Sequence, residues 1–454
     1  MREIVGLIGA VAAAFVMLPA QAKDKQLSEE YVREPMPPGF KVIVADFEGP
    51  VFVDAKGKTL YNWPRAGLRN GDAGEQKGKP TCDDHKYTDN AGLMSPYPPG
   101  LELPEVATRP SCTDVWPPVL ADAKAKPVGK WTVLERKDGR KQWAYDGYAL
   151  YTSVLDHGRG DVFGGSLRRG TSEGGAQRVP VGPPPNIPPQ FAVHTVATGR
   201  LLVIGATGRS VYWSDHDKPG KSNCDVQCLH DWTPVLAPET VHPQGEWSII
   251  ESSPGVKQWA FRKMPVYTHV LDRQGASLEG SDVPGWHNAY TQMAPPAPVG
   301  FTVNDMHSGQ VLGDAKGMTI YIYNCNDDAV DQLACNHPDT PQEYRFAICG
   351  RGDPQLCLKD FPYVIASKGT KSNSHIWSTM DIDPQTGKKV APKAPGALHV
   401  WAYRDRPVYY CSRDKKPGDI ECDTWGEFNG ARNGYKAFWL RDDFGGNSGS
   451  GRGG

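Results

Sequence analysis

The sequence predicts an all-β protein of three diverged repeat domains, built from short antiparallel strands and hairpins and stapled by disulfides. Three observations lead to this fold class. The chain of 454 residues contains 50 glycines and 40 prolines, a content typical of many short strands joined by turns. An aromatic-rich pattern recurs three times along the chain, and 10 cysteines accompany it. A chain of this length is expected to divide into two to four domains.

The N-terminal residues 1–22 are predicted to be a signal peptide. An apolar run over residues 4–20 is followed by Ala20-Gln21-Ala22, the small-x-small pattern that precedes signal cleavage. A retained membrane anchor is the alternative, although the run is short for a membrane span. We therefore expect a periplasmic or secreted protein with no transmembrane segment after signal cleavage. The net charge is -2, which gives no strongly basic field to attract nucleic acid, so we expect no nucleic-acid partner.

The first part of the repeat runs from a phenylalanine to a tyrosine. Phe40, Phe191 and Phe301 each begin an apolar stretch that is followed by a turn of small residues and then by a tyrosine. The three tyrosines are Tyr61, Tyr212 and Tyr321. An apolar stretch, a glycine-containing turn and a second β-branched stretch together predict a β-hairpin.

The second part of the repeat keeps a fixed spacing between a tryptophan and a tyrosine. The tyrosine follows the tryptophan by eight residues in every copy, and an aspartate (Asp156, Asp272 or Asp414) follows the tyrosine by five. The six motif aromatics are Trp143, Tyr151, Trp259, Tyr267, Trp401 and Tyr409.

A hairpin register explains this spacing. If Asp146-Gly147 forms a two-residue turn, residue 145 pairs with 148 and Trp143 lies opposite Leu150. A slip of one residue would turn each aromatic to the wrong face of the sheet, so the spacing cannot drift. Core packing accounts for the motif aromatics on this basis, and an aromatic platform for a ligand is the alternative.

The cysteines follow the same repeat. Cys112, Cys228 and Cys357 each precede an aromatic residue by four positions, and an exported protein is expected to oxidise its cysteines to disulfides. Five bridges fit the chain. The predicted pairs are Cys82–Cys112, Cys224–Cys228 and Cys411–Cys422, while the partner of Cys357 stays open among Cys325, Cys335 and Cys349.

The repeat divides the chain into predicted domains at 33–170, 186–292 and 296–444. Proline-rich linkers at 180–189 and 294–298 separate them, and a flexible Gly/Ser tail is predicted at 445–454. Because these linkers are short and stiff, we expect the domains to pack as a pseudo-threefold assembly rather than as separate beads.

Several motifs resemble the bacterial secreted-repeat (lipoprotein-repeat) family of unknown function, whose signature is a paired tyrosine-x-aromatic-x-x-aspartate motif. The resemblance covers most of residues 37–430 and is carried by Gly208-Arg209-Ser210-Val211-Tyr212, Asp217-Lys218-Pro219-Gly220, Cys224-x3-Cys228, Trp232-Thr233-Pro234, Lys257-Gln258-Trp259 and Pro265-Val266-Tyr267. This chain departs from the signature at Ser153, His269 and Cys411, where the family usually has an aromatic residue. The resemblance implies export and a repeat scaffold, and it implies no activity.

Two groups of residues are candidates for metal binding. Histidines and aspartates of the second domain have the donor chemistry of a divalent transition metal if their loops converge. These residues are His216, Asp217, His230, Asp231, His269 and Asp272. A second group, Asp156 with Asp161 and Asp414 with Asp419, offers oxygen ligands in glycine turns, as calcium prefers; capping of those turns by aspartate is the alternative.

For function, the sequence favours a non-catalytic binding or interaction module of the bacterial envelope. The common catalytic signatures are absent from the chain, so no catalytic residue is assigned. The sequence leaves three kinds of partner open: an envelope protein, a polymer or a small ligand. The alternative is a metal-dependent envelope enzyme or a redox accessory protein that uses the His/Asp set of the second domain, with a divalent metal ion as the cofactor.

Overall fold

The structure is a computed structural model, and it describes residues 28–62, 77–84, 111–164, 179–272, 275–324, 349–350, 353–370, 372, 374–423 and 434–443. The described residues form several small antiparallel sheets with few helical turns and four disulfides, which confirms the predicted all-β, disulfide-stapled architecture. The predicted signal peptide and the C-terminal tail lie outside the described residues. Within those described ranges, no helix is long and apolar enough to cross a membrane.

The strands and helices fall into three segments, each named after the predicted domain that it contains. Segment 1 contains β1 (Lys41–Ala45), β2 (Gly49–Val53), β3 (Tyr61–Asn62), α1 (Cys112–Val115), β4 (Trp131–Glu135), β5 (Lys141–Tyr145), β6 (Tyr148–Ala149) and β7 (Val179–Pro180). Segment 2 contains β8 (Phe191–Val196), β9 (Gly199–Ile204), β10 (Tyr212–Ser214), α2 (Cys228–Asp231), β11 (Trp232–Pro234), β12 (Trp247–Ser253), β13 (Val256–Phe261), β14 (Met264–Pro265), β15 (Tyr267–His269), β16 (Trp286–Asn288) and β17 (Tyr290–Met293). Segment 3 contains β18 (Thr302–Met306), β19 (Gly309–Gly313), β20 (Tyr321–Asn324), α3 (Pro354–Asp360), β21 (Trp377–Ile382), β22 (Leu398–Tyr403), β23 (Arg406–Tyr409), β24 (Gly434–Ala437) and β25 (Trp439–Asp442).

Each segment begins with the hairpin that the sequence predicts. Strands β1 and β2, β8 and β9, and β18 and β19 pair as antiparallel neighbours. In segment 1 the chain then turns because the Asp54 carboxylate accepts hydrogen bonds from the backbone N–H groups of Lys56 and Lys58, both at 2.9 Å. Such side-chain capping is the usual role of aspartate in a turn, and it directs the chain back towards Tyr61.

The aromatic hairpin has the predicted register. Tyr145 pairs with Tyr148, and the N–H of Leu150 donates to the carbonyl of Trp143 at 2.9 Å. The turn residues Asp146 and Gly147 have φ values of 50° and 82°, as a primed two-residue turn requires. The same register recurs in the other segments, where Phe261 pairs with Met264 and Tyr403 pairs with Arg406.

The motif aromatics lie in the core. All six are buried, so core packing accounts for them and no ligand platform is needed. Three further tryptophans, which the sequence pattern did not single out, start the strand before each aromatic hairpin. Trp131, Trp247 and Trp377 pair with Tyr145, Phe261 and Tyr403, respectively.

The disulfides follow the predicted pairs where the structure describes them. Cys82 bonds to Cys112, Cys224 to Cys228 and Cys411 to Cys422. Cys349 is the partner of Cys357, which resolves the choice that the sequence left open. Cys325 and Cys335 lie outside the described residues.

The end of segment 1 differs from the predicted domain boundary. Strand β7 pairs with β3, so that Tyr61 faces Pro180. The predicted linker at 180–189 therefore begins inside a strand. The same pairing occurs in the other two segments. Their tyrosine-bearing strands, β10 and β20, pair with β16 and β24, which come late in each segment.

The three segments contact one another around the tip of the β1–β2 hairpin. Phe47 of this tip is buried with Trp377 and Tyr403 of segment 3, and the side chain of Gln292 in segment 2 donates to the carbonyl of Ala45 at 2.9 Å. A small apolar cavity of about 40 Å³ lies beside Phe47 at this junction. The segments are therefore packed together rather than strung as beads.

Candidate functional site

Each segment contains a buried hydrogen bond between a tyrosine of its first part and the aspartate of its second part. The Tyr61 hydroxyl donates to Asp156 at 3.0 Å. The equivalent distances in segments 2 and 3, Tyr212 to Asp272 and Tyr321 to Asp414, are both 2.9 Å. These contacts explain why the aspartate keeps a fixed distance from the second tyrosine: it must return to the first one.

Segment 2 adds a reciprocal pair. The Tyr267 hydroxyl donates to Asp217 Oδ2 at 2.8 Å, so each of the motif tyrosines Tyr212 and Tyr267 binds the aspartate that follows the other. The positions equivalent to Asp217 in segments 1 and 3 hold Ala66 and Asn326. Segment 2 is therefore the one with carboxylates in both halves of the motif.

Burial changes the acidity of these groups. Desolvation raises the pKa of Asp156 to about 7 and that of Asp272 to about 6. The same cause raises the pKa of Asp217 and of Asp414, because a carboxylate loses its hydration when it is buried. The tyrosine partners also have raised pKa values, mainly by desolvation, so their hydroxyls remain protonated donors.

His269 gives segment 2 an additional titratable group. Its ring lies 4.5 Å from the Trp232 ring, and its Nδ1 is 3.7 Å from Asp272 Oδ1. Burial lowers the pKa of His269, which keeps the ring neutral near pH 7. Neither His269 Nδ1 nor Asp272 Oδ2 has a hydrogen-bond partner among the described residues. Together with Tyr212, these side chains form a compact buried polar group.

The other predicted metal ligands lie elsewhere. His230 Nδ1 contacts Asp231 Oδ1 at 2.7 Å on the exposed surface. Asp217 is engaged by Tyr267 and by the backbone N–H of Asn223, and the backbone N–H of His216 donates to Ser214 Oγ at 3.2 Å. Across the part of the chain that the structure describes, no three His, Cys, Asp or Glu side chains are arranged to hold a metal ion. The predicted six-residue set is thus divided between surface and core, and it does not form one metal centre.

The candidate calcium turns are capped turns. The Asp161 carboxylate accepts the N–H of His157 at 2.9 Å. In segment 3, Asp419 Oδ2 accepts the N–H groups of Lys415 and Lys416 at 2.8 and 3.0 Å. The carboxylate oxygens therefore act as turn-capping aspartates usually do, which is the alternative that the sequence left open.

An exposed apolar face distinguishes segment 2. Asp231, at the end of α2, accepts the N–H of Val270 through its carbonyl at 2.9 Å, which joins the disulfide loop to the chain after β15. The exposed large apolar side chains of these two stretches, which we call the apolar face of segment 2, are Val226, Leu229, Val270 and Leu271.

The same three-residue sequence behaves differently in segment 1. Val154-Leu155-Asp156 and Val270-Leu271-Asp272 follow equivalent tyrosines. Leu155 is 6% exposed, whereas Leu271 is 70% exposed. The exposure of Leu271 is therefore not imposed by the local sequence; it is a property of the surroundings in segment 2.

The fold and these contacts define a disulfide-bonded all-β protein whose motif residues form buried tyrosine–aspartate pairs. Comparison of the chain with protein-family models, with curated proteins and with solved structures found no match.

The tyrosine–aspartate bond of segment 2 makes a testable contribution to stability. We expect Tyr212→Phe to lower the free energy of unfolding by about 2 kcal/mol, because it removes a donor from a buried carboxylate. The matched control is Tyr290→Phe, which removes a neutral bond of 2.8 Å to Thr198 and should cost about 1 kcal/mol. Urea unfolding of both variants measures the difference. Equal losses would contradict a special role for the carboxylate.

Proposed function

We propose that this protein is an exported, periplasmic or secreted, non-catalytic interaction module of the bacterial envelope, in the manner of the lipoprotein-repeat family that its motifs resemble. The four disulfides of the described residues are expected of a protein in an oxidising compartment. The regular aromatics are used for packing, so the binding surface is sought where the segments differ.

The apolar face of segment 2 is the observation that carries this proposal. Exposed apolar side chains that cluster mark protein interaction surfaces, and the hydrogen bond from Val270 to Asp231 brings the two stretches of this face together. The contrast between Leu155 and Leu271 supports this reading, because an equivalent leucine is covered by the chain itself in segment 1. A partner that covers Leu271 would complete the burial in segment 2.

The proposed partner is another envelope protein with a complementary apolar surface. A small polar ligand has little to gain from this face, since its exposed side chains are aliphatic. Acidic and imidazole groups, Asp231 and His230, border the face and are exposed, and a polar rim around an apolar centre is the usual anatomy of a protein interface.

A binding experiment with two matched variants tests the proposal. The mature protein is immobilised and exposed to envelope extract of its source bacterium, and bound proteins are quantified by mass spectrometry. We expect Leu271→Asp to weaken capture of a specific protein at least about tenfold, or about 1.4 kcal/mol. Leu236→Asp changes another exposed leucine outside the face and should leave capture intact.

Thermal melting of both variants checks that each is folded, since exposed substitutions of this kind change stability little. The proposal fails if the wild-type protein captures no specific protein, or if Leu271→Asp and Leu236→Asp bind the same set equally well.

A further inference from the structure

The disulfide between Cys411 and Cys422 has a setting specific to segment 3. Cys411 occupies the motif position that holds Ser153 in segment 1 and His269 in segment 2. The bond closes the short loop 412–421, with the two Cα atoms 6.0 Å apart. Both sulfurs are buried, whereas Ser412, Lys415 and Lys416 of the loop are exposed. A loop with several exposed residues opens locally at a lower free energy than the core.

A guanidinium group lies against one of the two sulfurs. Arg413 Nε and Nη2 donate to Cys422 Sγ at 3.3 and 3.2 Å. The backbone N–H of Arg413 donates to Cys411 Sγ at 3.4 Å. A neighbouring cation and N–H donors stabilise a thiolate much more than they stabilise a disulfide sulfur. The surroundings thus favour the reduced, ionised form of Cys422.

We propose that Cys411–Cys422 is a thiol–disulfide exchange site that is reduced by a dithiol, with Arg413 as the positioning residue for the leaving thiolate. A thiolate of the dithiol attacks Cys411 Sγ, the bond between the two cysteine sulfurs breaks, and Cys422 leaves as a thiolate beside Arg413. The second thiol of the reductant then attacks its own sulfur in the mixed disulfide and releases Cys411. Two electrons pass from the dithiol, which becomes a disulfide, to this cysteine pair.

The bond is placed to transmit its redox state to segment 3. Between its two cysteines, the Asp414 carboxylate accepts the Tyr321 hydroxyl and the N–H of Glu421, both at 2.9 Å. Directly after Cys422, Asp423 accepts the N–H of Ala437 at 2.8 Å and Trp439 Nε1 at 3.0 Å. Reduction removes the covalent closure of the loop that holds these contacts, so it loosens the attachment of β24 and β25.

Redox equilibration with differential alkylation tests the site. The full mature protein is equilibrated with a series of dithiothreitol buffers at about pH 9, where free thiols are ionised, and mass spectrometry reports the state of each disulfide. We expect Arg413→Gln to lower the equilibrium constant for reduction of Cys411–Cys422 about tenfold, or about 30 mV for this two-electron couple. Reduction of Cys224–Cys228 should be unchanged.

Two controls separate thiolate stabilisation from a structural effect. Lys415→Gln removes another cation of the same loop, whose ammonium group donates to the Ser412 carbonyl and not to sulfur, and should leave the equilibrium unchanged. Arg413→Lys should retain part of the effect, because the charge remains. At about pH 6, where thiols are protonated, Arg413→Gln should have no effect.

Each outcome bears on the inference. It is overturned if Arg413→Gln leaves the Cys411–Cys422 equilibrium unaltered at about pH 9, if Lys415→Gln shifts it equally, or if the shift persists unchanged at about pH 6. Melting curves of the oxidised variants confirm that each starts from the folded state.

Discussion

Replacing Glu48 by glutamine is expected to lower the free energy of unfolding by about 3–5 kcal/mol, because it removes the carboxylate that balances a charged guanidinium in the interior. Arg404 Nη2 donates to Glu48 Oε1 at 2.8 Å, and both side chains are almost fully buried. Glu48 belongs to the β1–β2 hairpin tip of segment 1 and Arg404 to the aromatic hairpin of segment 3. Urea unfolding, followed by tryptophan fluorescence, measures the loss.

The charge pair can be distinguished from simple packing by a second variant. Glu48→Gln combined with Arg404→Met removes both charges and should recover much of the loss, since apolar replacement of a buried pair is often neutral. Glu239→Gln breaks the exposed pair with Lys257 and should cost less than about 1 kcal/mol. A loss of similar size for Glu48→Gln and Glu239→Gln would refute the assignment.

Arg404 belongs to the aromatic hairpin of segment 3 and also contacts the β1–β2 hairpin tip of segment 1. It is the first turn residue of its aromatic hairpin, with φ at 49°, and its guanidinium lies over the Phe47 ring at 4.9 Å. The equivalent residue of segment 2, Arg262, instead forms a salt bridge with Glu246 of the same segment at 2.7 Å. One position of the motif thus serves local folding in segment 2 and assembly of segments in segment 3.

The sequence predicted the hairpins well because their determinants are local. The spacing from Trp143 to Tyr151 and the Asp146-Gly147 turn are enough to fix the register. The repeat pattern did not identify Trp131, Trp247 and Trp377. The distance along the chain from each of them to the next motif tryptophan is longer in segment 3 than in segments 1 and 2, so it is not constant. A search for a tryptophan that starts the strand preceding each hairpin would have found them.

The tyrosine–aspartate pairs could not be predicted because they depend on long-range contacts. His216 and Asp217 are adjacent in sequence, yet Asp217 turns towards Tyr267. Asp272 likewise binds Tyr212, across sixty residues of chain. The motif aspartates looked available as ligands only while their tyrosine partners were unknown. The fixed spacing in all three copies was the signal of a structural role.

Acidification is expected to stabilise the protein through Asp156. Its pKa is raised from 3.8 to about 7 by desolvation, so the folded state binds a proton more tightly than the unfolded state. The resulting stability is fully present below pH 3.8 and is lost as the pH rises through about 7. A shift of this size corresponds to roughly 4 kcal/mol between these limits.

Asp156→Asn tests this contribution because asparagine resembles the protonated carboxyl group. The variant should be more stable than the wild type near pH 8, and the two should converge as the pH falls towards 4. The asparagine amide retains an acceptor for the N–H of Phe163, which Asp156 Oδ1 binds at 2.9 Å. Thermal unfolding across this pH range gives the comparison.

The matched control is Asp138, whose pKa is shifted in the opposite direction to that of Asp156. Arg140 lowers the pKa of the exposed Asp138, so any stability from that ion pair is present above pH 3.8 and is lost only in stronger acid. Asp138→Asn should therefore leave the pH dependence between 4 and 8 unchanged. If Asp156→Asn instead runs parallel to the wild type across this range, the buried carboxyl is not the group that titrates, and the tyrosine–aspartate pair of segment 1 carries its charge at neutral pH.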